Sequence, residues 1–163
     1  MDKDYKTTKK PNVWKIGSRW DTNGDKDKSI IDIFFRSNIV FFGDNQNHST
    51  NHILFHKNKI HMGDIFAIAD GMSIKAIAKV IEEGNYIDKI SNINIDDFLI
   101  KSDTIFDYYH ETCSKNAYGW KVEIRKPIGN IIAQRNIKVG RQRIYRMEKY
   151  AKDIIDIFNN YSV

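Results

Sequence analysis

Residues 65–80 read IFAIADGMSIKAIAKV, two apolar stretches joined through Asp70 and Gly71. Each stretch has the length of a β-strand, and an Asp-Gly pair between two such stretches is typical of a tight turn. The sequence therefore predicts a β-hairpin with strands at residues 65–70 and 73–81.

Three elements are predicted before this hairpin. Residues 13–17 (VWKIG) alternate as in a half-buried strand, and residues 38–43 (NIVFFG) form a second apolar strand. The polar residues 18–28 between them predict a loop. A short helix is expected next, with Ser29 as its N-cap. Its apolar face consists of Ile30, Ile31, Phe34 and Phe35.

Two further elements are predicted after the hairpin. Residues 120–125 (WKVEIR) alternate cleanly and indicate a strand that ends before Pro127. Apolar residues then recur three or four positions apart, which predicts a long C-terminal helix. The residues with this spacing are Ile144, Met147, Ala151, Ile154, Ile155 and Phe158.

The order of these elements is strand, helix, strand, hairpin, strand, helix, with mostly short, mixed connections. This order predicts an α+β fold in which a small curved or closed sheet, a β-barrel, is flanked by short helices. The polar residues 1–12 are expected to form a flexible tail, and residues 13–163 a single domain.

Composition limits the class of protein. A single cysteine, Cys113, excludes an intramolecular disulfide framework and a multi-cysteine zinc site. The N-terminus lacks the apolar core of a signal peptide, and no apolar run is long enough to cross a bilayer. We therefore expect a cytoplasmic protein that does not interact with membranes. No cofactor is expected, and no metal, because His48, His52 and His56 lack a completing ligand.

The positive charge is concentrated late in the chain. The formal net charge is +5, yet residues 121–152 hold ten basic residues and only two acidic ones, Glu123 and Glu148. A solvated helix face normally mixes both signs, so this segment favours contact with phosphate groups. The residues expected to make that contact are Arg135, Lys138, Arg141, Arg143, Arg146 and Lys149.

A second candidate feature surrounds the first strand. Trp14 alternates with Ile16 and is expected in the core, whereas Trp20 follows in a polar segment. Trp20 either stacks on a base or another flat ring or packs against the protein. Its neighbours are suited to a nucleotide. Arg19 can bind a phosphate or a base edge, and Ser18 and Asp21 can orient a ring.

The region around the hairpin resembles a known superfamily. A Gly63-Asp64 turn, the hairpin with Ala76–Val80, and the preceding strand, helix and glycine-ended strand are similar to PUA-like domains, particularly the EVE, YTH and ASCH branches. The resemblance implies a small barrel with a pocket on one side. In EVE and YTH members that pocket is an aromatic cage for a modified base, and EVE-like domains also occur in modification-dependent restriction systems. By position, the implied cage residues are Trp20, Phe42 and Trp120, with Ser18, Asp21, Asp44 and Asp70 as polar partners.

The sequence is compatible with three functions. The first is a nucleic-acid-binding module that reads a modified or flipped base in DNA or RNA and in which a partner protein supplies any catalysis. The second is a small hydrolase acting on nucleosides or RNA, as in ASCH-like members, with Lys79, Glu82 and Glu83 as the available polar groups. The third is a domain whose basic segment binds an acidic protein.

Overall fold

The computed structural model describes residues 10–22, 25–42, 56–90 and 118–163, and only the backbone of residues 19–22, 25–28 and 88. Nine strands and three helices lie in these ranges, together with a 3₁₀ turn at Ile87–Lys89. They follow one another as β1 (Val13–Gly17), β2 (Arg19–Thr22), β3 (Asp25–Ser29), α1 (Ile31–Ser37), β4 (Ile39–Phe42), β5 (Ile65–Asp70), β6 (Ser73–Val80), β7 (Asn85–Tyr86), β8 (Tyr118–Arg125), α2 (Ile131–Gln134), β9 (Ile144–Arg146) and α3 (Ala151–Asn160).

Seven strands form one curled, mixed sheet. Its order is β4-β8-β6-β5-β1-β9, and β7 pairs with β8 beside this path. Strands β1 and β5 are parallel, and the other pairs are antiparallel. Strands β2 and β3 form a separate two-stranded ribbon. The α+β class and the curved sheet predicted from the sequence are confirmed.

The predicted hairpin is confirmed as β5 and β6. Asp70 pairs with Ser73, and Gly71 adopts a φ of +65°, a conformation that favours glycine. The strands predicted at residues 13–17, 38–43 and 120–125 correspond to β1, β4 and β8. The predicted short helix is α1, but Ile30 is its N-cap residue, since Ser29 still belongs to β3.

Two sequence-based predictions are corrected by the structure. Residues 18–28, expected as a loop, largely form the β2–β3 ribbon, in which Arg19 pairs with Ser29 and Trp20 with Lys28. The long C-terminal helix is not confirmed. Residues 144–146 form an edge strand that pairs with β1, and α3 has only ten residues. Ile144 is buried by this pairing with Ile16, and the helical spacing that it shares with Met147 is coincidental.

Strand β1 separates two apolar clusters. Trp14 and Ile16 point to the inner cluster, which α1 and the concave side of the sheet enclose. Val13 points to the outer cluster, where α3 packs with Ile154, Ile157 and Phe158. Alternation along a strand sends successive side chains to opposite faces, so every second residue of β1 belongs to the α3 side.

The Gly63-Asp64 turn fastens the start of β1 to the sheet. Gly63 has a φ of +94°, and its N–H donates to the carbonyl of Val80 at 2.8 Å. The buried carboxylate of Asp64 accepts three hydrogen bonds, from the N–H groups of Asn12 and His61 and from Nε1 of Trp14. Asn12, assigned to the tail from sequence, is therefore bonded to the fold.

Candidate functional site

The C-terminal ends of the neighbouring strands β1 and β5 lie side by side at one edge of the sheet, and several predicted site residues meet there. Because these strands are parallel, Gly17 and Ala69 lie side by side in register. The N–H of Ser18 donates to the carbonyl of Ala69 at 2.8 Å, and that of Gly17 donates to the carbonyl of Arg143 at 2.6 Å. Ser18, Asp70 and Arg143, which are remote in sequence, are thus neighbours at one edge.

Ser18 closes the base of the ribbon. Its hydroxyl is fully buried, donates to the carbonyl of Ala69 at 3.0 Å and lies 3.2 Å from the hydroxyl of Ser29. The N–H of Ile30 donates to the carbonyl of Ser18 at 2.7 Å. The Ser18 hydroxyl thus has a structural role, and the ribbon that carries Arg19, Trp20 and Asp21 begins directly at this edge.

Residues 138–143, here called the basic loop, run beside the same edge. Ile137 and Val139 are buried in the outer cluster and anchor the loop, while Lys138 and Arg141 are exposed. The N–H of Gly140 donates to the hydroxyl of Tyr145 at 2.7 Å. The loop is therefore attached to the fold at Ile137, Val139 and Gly140, and two of its cations are exposed to solvent.

Two more predicted cations follow the basic loop. Arg146, on the edge strand β9, is exposed, and so is Lys149, whose ammonium lies 5.3 Å from the centre of the Tyr150 ring. Among the described residues, no carboxylate lies within 4.0 Å of Lys138, Arg141, Arg146 or Lys149.

Arg135 differs from the other predicted cations. Its guanidinium donates to Asp153 at 3.2 Å and to Asp156 at 2.6 Å, and it lies 5.0 Å from the ring of Tyr161. The hydrogen bond with Asp156 raises the pKa of Arg135 and, in return, lowers the pKa of Asp156. Arg135 therefore connects the segment after α2 to α3, and its charge is neutralised within the fold.

Lys15 is the charged residue of this region that sequence analysis missed. Its side chain is buried on β1, and its ammonium donates to the carbonyl of Gln142 in the basic loop. Burial, and to a smaller extent the charge of Arg143, lower the pKa of Lys15 to about 8. The sequence feature that could have identified Lys15 is its position as the one charged residue in the predicted strand VWKIG.

The aromatic residues implied for the cage lie elsewhere. Phe42 and Trp120 are 1% and 0% exposed in the inner cluster. The indole of Trp120 packs against the rings of Phe42 and Phe66, with ring centres 5.6 Å apart in each pair. Phe66 lies near the start of β5, whereas Asp70 is the last residue of that strand. The structure therefore does not bring Phe42 and Trp120 together with Ser18 and Asp70. Asp44 lies outside the described residues.

The polar groups considered for hydrolysis point to separate partners. Lys79 is exposed, Glu82 lies 3.9 Å from the ammonium of Lys121, and Glu83 lies 3.7 Å from Nδ1 of His61. His56 is buried against the rings of Trp14 and Phe42, while His48 and His52 lie outside the described residues. Within the described ranges, no three His, Cys, Asp or Glu side chains are placed to hold a metal ion.

No protein-family model and no curated protein matches the sequence. In the part of the chain that the structure describes, no helix has both the length and the apolar composition of a membrane span.

Proposed function

We propose that this protein is a PUA-like module that binds nucleic acid at the edge formed by the ends of β1 and β5. One observation carries the proposal. The hydrogen bond between Gly17 and Arg143 places the basic loop beside the base of the β2–β3 ribbon at this edge. The two sequence features selected for nucleic-acid contact, the Trp20 segment and the late cations, thus have neighbouring backbones.

The cations supply the affinity in this proposal. All four of Lys138, Arg141, Arg146 and Lys149 are exposed. Lys138 and Arg141 lie on the basic loop beside the ends of β1 and β5, whereas Arg146 pairs with Trp14 nearer the start of β1, and Lys149 follows it toward α3. Exposed cations neutralise backbone phosphates irrespective of base sequence. Each neutralised phosphate steepens the fall of the logarithm of the binding constant with the logarithm of salt concentration, by about 0.9 on duplex DNA or about 0.7 on single strands.

The ribbon supplies the selectivity in this proposal. A two-stranded ribbon is narrow enough to enter the major groove, and Trp20 on its first strand offers a ring for base stacking, which contributes about 1–3 kcal/mol. Stacking of this size offsets the few kcal/mol that extruding a base costs. We propose that a modified base is read here, with Asp21 and Asp70 as polar partners, because both lie on strands that meet this edge.

The biological setting belongs to the same proposal. We propose that this protein acts in the cytoplasm, in a modification-dependent restriction or defence system, and that a partner protein supplies catalysis. The hydrolase alternative has no observation in its favour, because Glu82 and Glu83 face different partners. Turnover of nucleosides or RNA by the purified protein, lost in a Glu82→Gln variant, would establish that alternative instead.

Binding to short labelled oligonucleotides tests the proposal. Single-stranded and duplex probes, each plain or carrying 5-methylcytosine or N6-methyladenine, are compared by fluorescence anisotropy over a salt series. We expect affinity that falls with salt and is higher for at least one modified probe. The double variant Arg141→Ala/Arg146→Ala should weaken binding to all probes alike and reduce the salt slope, whereas Lys75→Ala, an exposed lysine on β6, should not. Binding that is absent, or indifferent to salt and modification, would refute the proposal.

A further inference from the structure

A groove opens at the start of β1, at the opposite end of this strand from the ribbon base. Residues 10–13 form one wall, and residues 146–148 together with the first half of α3 form the other. The groove has a volume of about 390 Å³. Pockets that bind small molecules typically measure about 300–1,000 Å³. The groove therefore has the size of a site for one small molecule or for one unit of a polymer.

Hydrogen bonds on both sides fix the wall formed by residues 10–13. The N–H of Asn12 donates to Oδ1 of Asp64 at 3.1 Å, and the carbonyl of Asn12 accepts from the N–H of Ile65 at 2.9 Å. The carbonyl of Val13 accepts from the N–H of Met147, in the opposite wall, at 2.7 Å. Both walls are thus bonded to each other and to the sheet, and the groove is part of the free fold.

The floor of the groove is apolar. Val13 and Met147 are buried in the outer cluster, and Ala151 and Ile155 are partly buried against it. An apolar surface that is open to solvent gains free energy when a ligand covers it with an apolar face. The floor therefore favours a ligand with a flat or aliphatic body, such as a nucleobase, over a bare inorganic anion.

The rim of the groove is positively charged. Three exposed cations line it, Lys10, Arg146 and Lys152, against one carboxylate, that of Glu148, which gives a net charge of +2. In the part of the chain that the structure describes, none of the three cations lies within 4.0 Å of a carboxylate. This charge complements an anionic ligand.

Strand β9 connects the groove with the edge at which nucleic acid is proposed to bind. Gly17 is bonded to Arg143 at that edge, and Arg146 pairs with Trp14, three residues earlier on β1. Three residues of a strand span about 10 Å. A stacked nucleic-acid strand advances about 3.4 Å per nucleotide, so a nucleotide about three positions from the base read at the edge would reach the groove.

We infer that the groove at the start of β1 is a subsite for a single unpaired nucleotide, whose base covers the apolar floor and whose phosphate is bound by Lys10 and Lys152. This inference rests on the proposed function and adds to it two phosphate-binding residues. Because a base in a duplex is stacked and paired, the subsite is available to single strands. An acidic peptide with an apolar side chain would meet the same charges, but continuity with the proposed edge favours the nucleotide.

The charge of the subsite is tested with the variant Lys10→Ser/Lys152→Ser. The probe is a twelve-nucleotide single strand carrying one 5-methylcytosine or one N6-methyladenine, followed by fluorescence anisotropy over a salt series. Loss of one neutralised phosphate should lower the salt slope by about 0.7. The matched control is Lys75→Ser/Lys79→Ser, which removes two exposed lysines of β6 and should leave the slope unchanged. Circular dichroism checks that both variants are folded.

The floor of the subsite is tested with Ala151→Met, which fills the groove and keeps every charge. Affinity for the single-stranded probe should fall about fivefold at an unchanged salt slope, whereas affinity for the duplex probe should not change. Probes with one abasic position provide a second measurement on the wild type. Removal of the base about three positions from the modified base should weaken binding by the wild type but not by Ala151→Met.

The outcomes separate the subsite from the proposed function. If the wild type binds the probes but both groove variants keep its salt slope and affinity, the subsite is refuted and the proposed function stands. An acidic pentapeptide with one central phenylalanine serves as the competing ligand. If it binds the wild type more tightly than the single-stranded probe and is lost in both groove variants, the groove is a peptide site and the inference is overturned. If the wild type binds no probe, the proposed function itself fails.

Discussion

The indole nitrogen of Trp14 donates a hydrogen bond to Oδ2 of Asp64 at 3.2 Å, across 50 residues of sequence. The same oxygen accepts from the N–H of His61, and Oδ1 accepts from the N–H of Asn12. One buried carboxylate thus joins the start of β1, its tryptophan and the turn that precedes β5. Asp64 therefore fixes the register of the parallel pair whose far ends form the candidate site.

Replacement of Asp64 should destabilise the domain. Asp64→Ala leaves three donors without their acceptor, one of them a buried indole N–H, and we expect a loss of about 3 kcal/mol in unfolding free energy. Asp64→Asn should lose less, because its amide keeps one oxygen. Urea denaturation checks both values, with the exposed Glu148→Ala as control. A loss below about 1 kcal/mol in Asp64→Ala would contradict this role.

Gly84 should not tolerate a side chain. A Cβ at this position would lie 2.5 Å from Nε1 of Trp120 and 2.6 Å from Cε1 of Tyr118, closer than packed atoms approach. Gly84→Ala should therefore lower the unfolding free energy by about 1–3 kcal/mol. Gly140→Ala is the matched control, because its Cβ would meet Tyr145 only at 3.6 Å. Equal midpoints for the two variants in thermal unfolding would show that the Gly84 contact is not tight.

Arg135 and Arg141 should differ in nucleic-acid binding although both are arginines of the same basic segment. The guanidinium of Arg135 is already paired with Asp153 and Asp156, whereas Arg141 is exposed. Arg141→Gln should reduce the salt slope on a duplex probe by about 0.9, and Arg135→Gln should leave it unchanged. Circular dichroism confirms that both variants are folded. A reduced slope in Arg135→Gln would mean that its ion pairs open on binding.

Trp20 should control discrimination between probes. If its ring stacks on the recognised base, Trp20→Ala removes that contact but leaves the exposed cations of the basic loop in place. The preference for the modified probe should then disappear, while affinity for plain probes changes less than threefold. Trp20→Phe should retain part of the preference. Competition anisotropy measures both ratios, and an unaltered preference in Trp20→Ala would remove Trp20 from the site.

Burial of Lys15 should give the free protein an unusual pH dependence of stability. The folded pKa of about 8 lies below the value of 10.5 for an exposed lysine, so between these values the unfolded chain binds the additional proton. Unfolding free energy should therefore rise with pH, by about 2 kcal/mol from pH 8 to about pH 9.5. Lys15→Met should lack this rise. Tyr118, whose pKa burial raises above 10.0, titrates beyond this window. Parallel curves for both proteins in urea denaturation would contradict the effect.

Much of the sheet could be predicted because its strands carry a local signal. The hairpin of β5 and β6 follows from Asp70-Gly71 between two apolar stretches, and β1 follows from its alternation. The β2–β3 ribbon could not be predicted in this way, since strands such as DKDKS lack an apolar face and owe their pairing to closure at Ser18 and Ser29. Strand β9 was not predicted, because its residue Ile144 lies at helical spacing from Met147 and the apolar residues of α3.

The candidate site was less predictable than the fold because its residues meet only through tertiary pairing. Counting charges along residues 121–152 identified the exposed cations, but the carboxylates of Asp153 and Asp156 lie just beyond that segment and neutralise Arg135. Lys15 looked like an exposed residue of an amphipathic strand, and only the packing of α3 and the basic loop over that face buries it.

The closure of the ribbon by Ser18 and Ser29 makes it a separable insertion. The strand and helix that flank it, β1 and α1, are joined directly through the Ile30–Ser18 hydrogen bond, whatever the length of the chain between them. We therefore expect changes in ribbon length or sequence to leave this hydrogen bond in place. Under the proposed function, exchange of residues 19–28 for a different hairpin should change which ligand the domain binds without requiring a new fold. This segment is therefore the part of the chain best suited to engineering or diversification.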